Sequence, residues 1–491
     1  MKTKYMLNPS KLLPLILIVV VSFAGCKKFL DVNQNPNNPD KAAPTLLLPT
    51  VEAAVGQIVG NSFQIYGNIW GQYWTQSPSS SQYKTIDQYQ VTNTNFDRPW
   101  LILYRNALIN ADLIIKDPGA NLQYIQGMAY VLKAYAFQLT TDAFGDVPLS
   151  EALKGNEFGS PKYDAQELVY DSIFNYIDKG SALLNTANAS SPGAQDIIFK
   201  GDISKWKAFA NTLKLRAYLR LSKVNPAKAQ AGIAALYASN AVFLTEDAAI
   251  KYTSVGGNEN PLYNEIVGLG KTQNIVASAT IVKAFKANND PRLFKFYDLL
   301  KGADTIAYIP QGSYSKNSTK KVSPPSPLVG GNANNIASAT APVKLISASE
   351  SYFLQAEAVA RGWAPTGSLP TLFAQGITAS FTAAGLTEAQ AVTYTATAGD
   401  AATALTAAAT VENKVKVIIT QKYYAMCGFQ GFEAWSEWRR TGYPTFFVTS
   451  VASTLAPGKM PLRLLYPNSE IQSNSNFPGS IVVDVPVWWD K

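Results

Sequence analysis

The residues able to do chemistry in this 491-residue chain are few, and one type is missing: there is no histidine. That excludes Ser-His-Asp and Cys-His catalytic constellations and every His-ligated zinc or haem site. Acid–base work would fall to carboxylates, lysine or tyrosine. The suggestive carboxylate pair is Glu433 and Glu437, four residues apart on one face of a helix, which could serve as the acid and nucleophile of a surface glycosidase. Arg439 and Arg440 stand beside them, and carboxylates next to two guanidiniums are more often paired and ionised than poised for proton transfer. Gly268-Leu269-Gly270-Lys271-Thr272 imitates the end of a phosphate loop. Glu265 stands where its first glycine belongs and no buried strand precedes it, so the segment reads as a glycine-rich turn. Asp31, Asn33 and Asn35 begin like a calcium loop, but Pro36 takes the glycine position and Ala42 the bidentate glutamate position, which rejects an EF-hand. The chain therefore reads as a non-enzyme with no cofactor and no metal.

The chain has two cysteines. Cys26 closes a segment in which Lys2, Lys4 and Lys11 precede an apolar run over 12–23 and the small residues Ala24 and Gly25. The run is too short to span a bilayer as a mature helix. An exit ending in cysteine resembles a bacterial lipobox, with Phe23 where leucine is usual. Residues 1–25 are then a lipoprotein signal peptide, Cys26 is the lipidation site, and the mature chain is anchored to a membrane rather than spanning it. Cys427, left alone, reads as a small buried hydrophobe.

Charged residues make up 15% of the chain and aromatic residues 11%, with 25 Tyr and 9 Trp. This balance suits a surface that handles neutral polar ligands through ring faces. The formal charge is +8, or +5 once the three lysines of the signal are removed. It is a mild excess spread along the chain, with no block of like charges, so nucleic acid is not an expected partner.

The elements that must position these residues are helices. Residues 26–45 are rich in Asn and Pro and read as a tether. From residue 46 to 491 a single domain is expected, in which the helical period dominates. Trp100, Tyr104, Ala107, Leu108, Ala111 and Ile115 share a face, as do Trp206, Ala210, Leu213, Ala217 and Leu221. Further helices are expected over 163–184, 226–239, 275–288, 347–363, 369–385 and 411–427. The fold class is mainly α: stacked helical hairpins, irregular and tetratricopeptide-like, with long loops and a few short strands and no strict 34-residue period. Three stretches break the pattern, at 61–97, 252–274 and 305–345, and long loops in a compact body are usually functional or disordered. Residues 387–411 are nearly all Ala and Thr and read as a surface excursion with little apolar area to bury. In the first and third loops, Trp74, Tyr83, Tyr89 and Tyr314 are the candidate ligand-binding rings. A sugar face or peptide side chain would stack there while nearby Gln, Asn and Asp bond its polar groups. About half of the ring cluster that also holds Trp70, Tyr73 and Phe96 is expected to be core.

Several segments together resemble the SusD/RagB family of nutrient-binding outer-membrane lipoproteins. They are 26–33 (CKKFLDVN) with Asn35-Pro36-Asn37, 143–149 (AFGDVPL), 289–293 (NDPRL), 350–362 (ESYFLQAEAVARG), 433–444 (EAWSEWRRTGYP) and 461–476 (PLRLLYPNSEIQSNSN). Their order covers essentially the whole chain. The resemblance implies a tetratricopeptide-like body on the outer membrane of Bacteroidetes-type bacteria, lipid-anchored and facing outward. It implies a partner, a TonB-dependent SusC-like transporter, and capture of an oligosaccharide or peptide nutrient without catalysis. A surface glycosidase, or a helical-repeat scaffold with protein partners only, are the alternative readings.

Overall fold

The computed structural model describes residues 42–399 and 401–490. The expected signal peptide, Cys26 and most of the tether lie outside the described residues. From Pro44 onwards the chain forms one compact unit.

Helix α1 (Pro44–Gln57) continues through a wider turn over 58–62 into α2 (Phe63–Trp70). After α3 (Ile109–Lys116) come α4 (Gln123–Phe144) and α5 (Gln166–Leu184), which pack along each other, and then α6 (Ile203–Arg220) with α7 (Pro226–Ala238). Two short helices, α8 (Pro261–Gly268) and α9 (Ala279–Ala287), sit among the loops. The C-terminal part adds α10 (Ala348–Ala360), α11 (Leu369–Ala383), α12 (Glu388–Thr397), α13 (Ala402–Ala407), α14 (Val411–Ala425) and α15 (Gly431–Thr441). Local chemistry sets several of these starts. Asp202 accepts hydrogen bonds from the Ser204 and Lys205 amides at the head of α6, and Ser347 accepts one from the Glu350 amide at the head of α10. Asn225-Pro226 and Asn260-Pro261 pair a capping side chain with a proline whose missing N–H is not needed in a first turn.

Strands are few and short. β1 (Trp74–Gln76) pairs antiparallel with β5 (Ile275–Ala277), Trp74 opposite Ala277. β2 (Val147–Pro148) pairs with β3 (Tyr163–Asp164), and β4 (Ala248–Ile250) with β6 (Val343–Ile346). The architecture is the mainly helical, irregular hairpin scaffold expected from the periodicity. Two local readings are corrected. The helix expected over 275–288 begins only at Ala279, because residues 275–277 pair with β1 and Ser278 caps the first turn of α9. The Ala/Thr stretch over 387–411 is not an open excursion: α12 and α13 form in it, and Ala391, Tyr394 and Leu405 join Phe353, Phe373 and Phe381 in a second core. Alanine has the highest helix propensity, and one buried tyrosine supplies apolar area that the composition hid.

Inside the main body lies a buried ionic lattice. Arg220 on α6 is fully buried and donates to Glu433 at 2.6 and 2.7 Å and to Glu437 at 2.6 Å, with Asp142 of α4 at 3.3 Å. Arg440, also fully buried, bridges Glu357 of α10 and Glu437 at 2.7 and 2.5 Å. Lys422 of α14 stands 3.5–3.8 Å from Glu350, Glu433 and Glu437. The lattice ties α4, α6, α10, α14 and α15 together. The arginines hold the Glu437 carboxyl well below its ordinary range. The Glu433/Glu437 pair is thus buried and paired with cations, chiefly Arg220, Lys422 and Arg440, while the adjacent Arg439 donates instead to the Asp142 and Leu462 carbonyls.

Candidate ligand-binding site

The first and third of the long loops meet at β1, and a buried carboxylate fixes them. Asp87 accepts hydrogen bonds from Thr75 Oγ1 at 2.6 Å, the Gln76 amide at 3.0 Å and Gln311 Nε2 at 2.6 Å. Gln311 also donates to the carbonyls of Ile69 and Trp74 and accepts from Ser278 Oγ. Burial pushes the Asp87 carboxyl up, and these donors oppose the shift. One carboxylate and one amide therefore join α2, β1, the 77–90 loop, the head of α9 and the 305–314 loop.

The candidate rings are brought into this platform, but inside it. Trp74 is fully buried in β1, Tyr83 and Tyr314 are nearly so, and Tyr89 receives a hydrogen bond from the Ser450 amide at 3.2 Å. Tyr89 holds a φ of +60°, a left-handed backbone that turns its ring under the loop. As packed, Trp74, Tyr83, Tyr89 and Tyr314 present no ring face to a ligand. The expectation of an exposed platform made of these four is corrected: the loops close over the two-stranded pair, and the large rings fill the space beneath them together with Ile86, Val276, Ile309 and Val322. Trp70, Tyr73 and Phe96 are core as well.

The surface facing outward is built from residues that the sequence patterns do not single out. A groove of about 350 Å³ runs between α9, the 308–311 turn and the 444–456 loop. Tyr424 and Phe446 stack at its wall, ring centroids 6.3 Å apart and 13° from parallel. Val448 is half exposed beside them. Gln72, buried and with a φ of +61°, clamps this wall: its amide donates to the Val448 carbonyl at 2.7 Å while its oxygen accepts from the Val448 amide and from Thr280 Oγ1. Lys283 lies along the opposite wall. Just outside, the half-buried Tyr308 ring carries Lys286 Nζ 5.1 Å and Lys320 Nζ 5.8 Å from its centroid. A larger cavity of about 770 Å³ lies between α1, β4 and the 251–259 loop. Its walls mix lysines with carboxylates, including the Lys205–Glu246 ion pair at 2.7 Å, and its rings, Phe199 and Tyr252, are themselves packed. The smaller groove has a half-buried ring, Phe446, backed by the buried Tyr424, and the apolar wall and few polar groups of a ligand cleft. Phe446 and Phe447 had one sequence signal, two adjacent aromatics in an otherwise uncharged stretch after α15. The phosphate-loop imitation is a turn, with Gly270 and Lys271 both at positive φ.

Irregular, tetratricopeptide-like helical hairpins are the architecture of the SusD-like proteins. The chain belongs to that family: the family model described as "Starch-binding associating with outer membrane" matches residues 36–467. Solved structures agree over nearly the whole length. A chitin-binding SusD homologue from Flavobacterium johnsoniae is 26% identical, with a TM-score of 0.74, covering 91% of this chain and 97% of that one. A SusD homologue from Bacteroides uniformis is 25% identical, with a TM-score of 0.76, covering 91% and 99%. A SusD/RagB family protein from Bacteroides thetaiotaomicron shares the fold at 24% identity and a TM-score of 0.74, covering 92% and 99%. No curated protein matches the sequence. The family is associated with the outer membrane, and among the described residues no helix is long and apolar enough to cross a membrane.

Proposed function

We propose that this protein is a lipid-anchored outer-membrane binding protein that captures an oligosaccharide nutrient and passes it to a TonB-dependent SusC-like transporter, without catalysis. The observation that carries the reading is the family match, whose description is starch binding, joined to a chitin-binding relative of the same fold. These favour a glycan over a peptide. In this reading residues 1–25 are removed, Cys26 carries the lipid, residues 26–45 tether the 46–491 body, and the binding face is turned outward. The sugar ring stacks in the groove on the Phe446 side, and Thr280 and Lys283 offer hydrogen bonds to its hydroxyls. Trp74, Tyr83, Tyr89 and Tyr314 hold the loops that shape the groove. One stacking contact contributes on the order of 1 kcal/mol, and micromolar binding needs about 8 kcal/mol, so several contacts along an oligomer are required.

The test is titration calorimetry of the purified protein against a panel of oligosaccharides and peptides, with the ligand recovered and its length checked. Saturable binding of one glycan class, with the ligand returned intact, supports the reading. Shortened oligosaccharides would move the protein to the glycosidases, and binding of peptides alone would change the cargo.

A further inference from the structure

The positive excess of the chain is not evenly spread, contrary to the expectation from composition. Residues 271–321 hold eight lysines and one arginine against three aspartates. Two of the acidic groups are already engaged: Asp290 is buried on Arg292 at 2.6 Å, and Asp298 accepts a hydrogen bond from Asn332. None of the eight lysines has a carboxylate within 4 Å among the described residues, so the positive charge of this segment is not neutralised by the protein's own ion pairs.

One of these cations lines the groove, and two more sit over Tyr308, two residues before Pro310 of the groove wall. Lys283 lines it, and Lys286, one turn further along α9, reaches out to Thr305 Oγ1 at 2.8 Å and covers one part of the Tyr308 ring. Lys320 is held over the same ring by a hydrogen bond to the Tyr308 carbonyl at 2.8 Å. Across the groove the 444–456 loop carries no charged residue, and Asp304 is the one acidic residue between 299 and 321. Lys283 in the groove and Lys286 and Lys320 over the neighbouring Tyr308 ring thus offer three ammonium groups with no protein carboxylate within 4 Å among the described residues. Like charges held near one another favour an anionic partner and raise its rate of encounter.

We infer that the groove takes an acidic glycan, one whose sugars carry carboxylate or sulfate groups: the half-buried Phe446 and Tyr308 rings stack on the sugar faces while Lys283, Lys286 and Lys320 meet the anionic substituents. This rests on the glycan-binding reading above and names the substrate class of that same groove.

The experiment uses the purified protein and three acidic probes, oligomers of polygalacturonate, alginate and chondroitin sulfate. Methyl-esterified polygalacturonate, chitin oligosaccharides and starch oligosaccharides are the neutral set, and a glutamate oligomer is the acidic peptide. The expected result is that one acidic glycan binds at least tenfold more tightly than every neutral glycan. Its affinity should fall at least tenfold in the triple variant Lys283→Gln, Lys286→Gln, Lys320→Gln and weaken as salt is raised, because exposed charges are screened. Replacing Lys414 and Lys416, remote on α14, should leave it unchanged. If removing the Tyr308 neighbours disturbs folding, Lys283→Gln alone, which touches no ring, should still lose at least threefold. A neutral glycan binding as tightly as any acidic one, or an acidic glycan indifferent to the lysine changes, overturns the acidic class and leaves glycan capture standing. Binding of the glutamate oligomer alone, or of nothing in the panel, overturns both.

Discussion

Gly67 of α2 and Gly431 at the head of α15 meet backbone to backbone. A Cβ on Gly67 would lie 2.0 Å from the Phe432 nitrogen, and one on Gly431 would lie 2.5 Å from the Asn68 nitrogen. The crossing is reinforced by Phe63 stacked on Phe432 at 4.3 Å and by Trp70 against Trp435 at 5.0 Å. It brings the helix that leads into the loop platform against the helix that carries Glu433, Glu437 and Arg440.

Gly67→Ala should therefore force the two helices apart, because the obstacle is main chain and cannot rotate away. Overpacking of this kind costs about 1–3 kcal/mol and more where the backbone must move, so a loss at or above about 3 kcal/mol is expected. Urea unfolding followed by circular dichroism checks it; an unchanged midpoint would show that the crossing relaxes freely.

Trp74 and Phe446 should behave as opposites. Trp74→Ala removes a fully buried ring and should cost roughly 3–5 kcal/mol of stability, while the folded fraction keeps its affinity. Phe446→Ala should leave the thermal midpoint within a few degrees and weaken glycan binding about tenfold, roughly 1.4 kcal/mol. Melting curves and calorimetry on both variants decide the assignment.

Breaking the ionic lattice should be severe without touching any chemistry. Arg220→Met leaves Glu433, Glu437 and Asp142 buried with fewer cations, and stranding a buried charge costs about 3–5 kcal/mol. Glu437, whose carboxyl is held low by Arg440 and its neighbours, gives the lattice its pH dependence. A depressed folded-state value means that the stabilisation is present above the unfolded value of 4.5 and fades as pH falls below it. Glu437→Gln should flatten that acid limb in stability measured between about pH 3 and 6.

Glu52 has the opposite sign. It is fully buried on α1, takes the Ile197 amide at 2.8 Å, and is pushed well above its ordinary value of 4.5 by burial first and the nearby Asp196 second. The protonated form is the one the fold favours, so folding takes up a proton. This contribution is intact below pH 4.5 and is lost as pH rises through the folded-state value. Glu52→Gln should be more stable than the parent at about pH 8 and no more stable at about pH 4. Denaturation at the two pH values reads the difference directly.

Cys26→Ser should abolish labelling by a radiolabelled fatty acid and release the protein from the membrane fraction. Membrane retention of the unlabelled variant would assign anchoring to some other contact.

The sequence by itself determined the helical class, because amphipathic stripes such as Trp206 to Leu221 repeat at a period that only a helix satisfies. It also carried the family, through short segments whose order runs along the chain. The physical role of two of them emerges only in the fold: Glu357 of one segment and Glu437 and Arg440 of another join the distant Arg220 in one lattice. The site was less legible for a related reason. Trp74 and Phe446 are both large rings in loops, and nothing in their local sequence tells which one faces inward. That choice was made by Gln72, Asp87 and the distant Gln311, which pin the loops so that Trp74 is held in β1 beside β5 and Val448 at the rim. Helical periodicity is a local property and is written in the chain; the facing of a loop ring depends on what the rest of the chain packs against it.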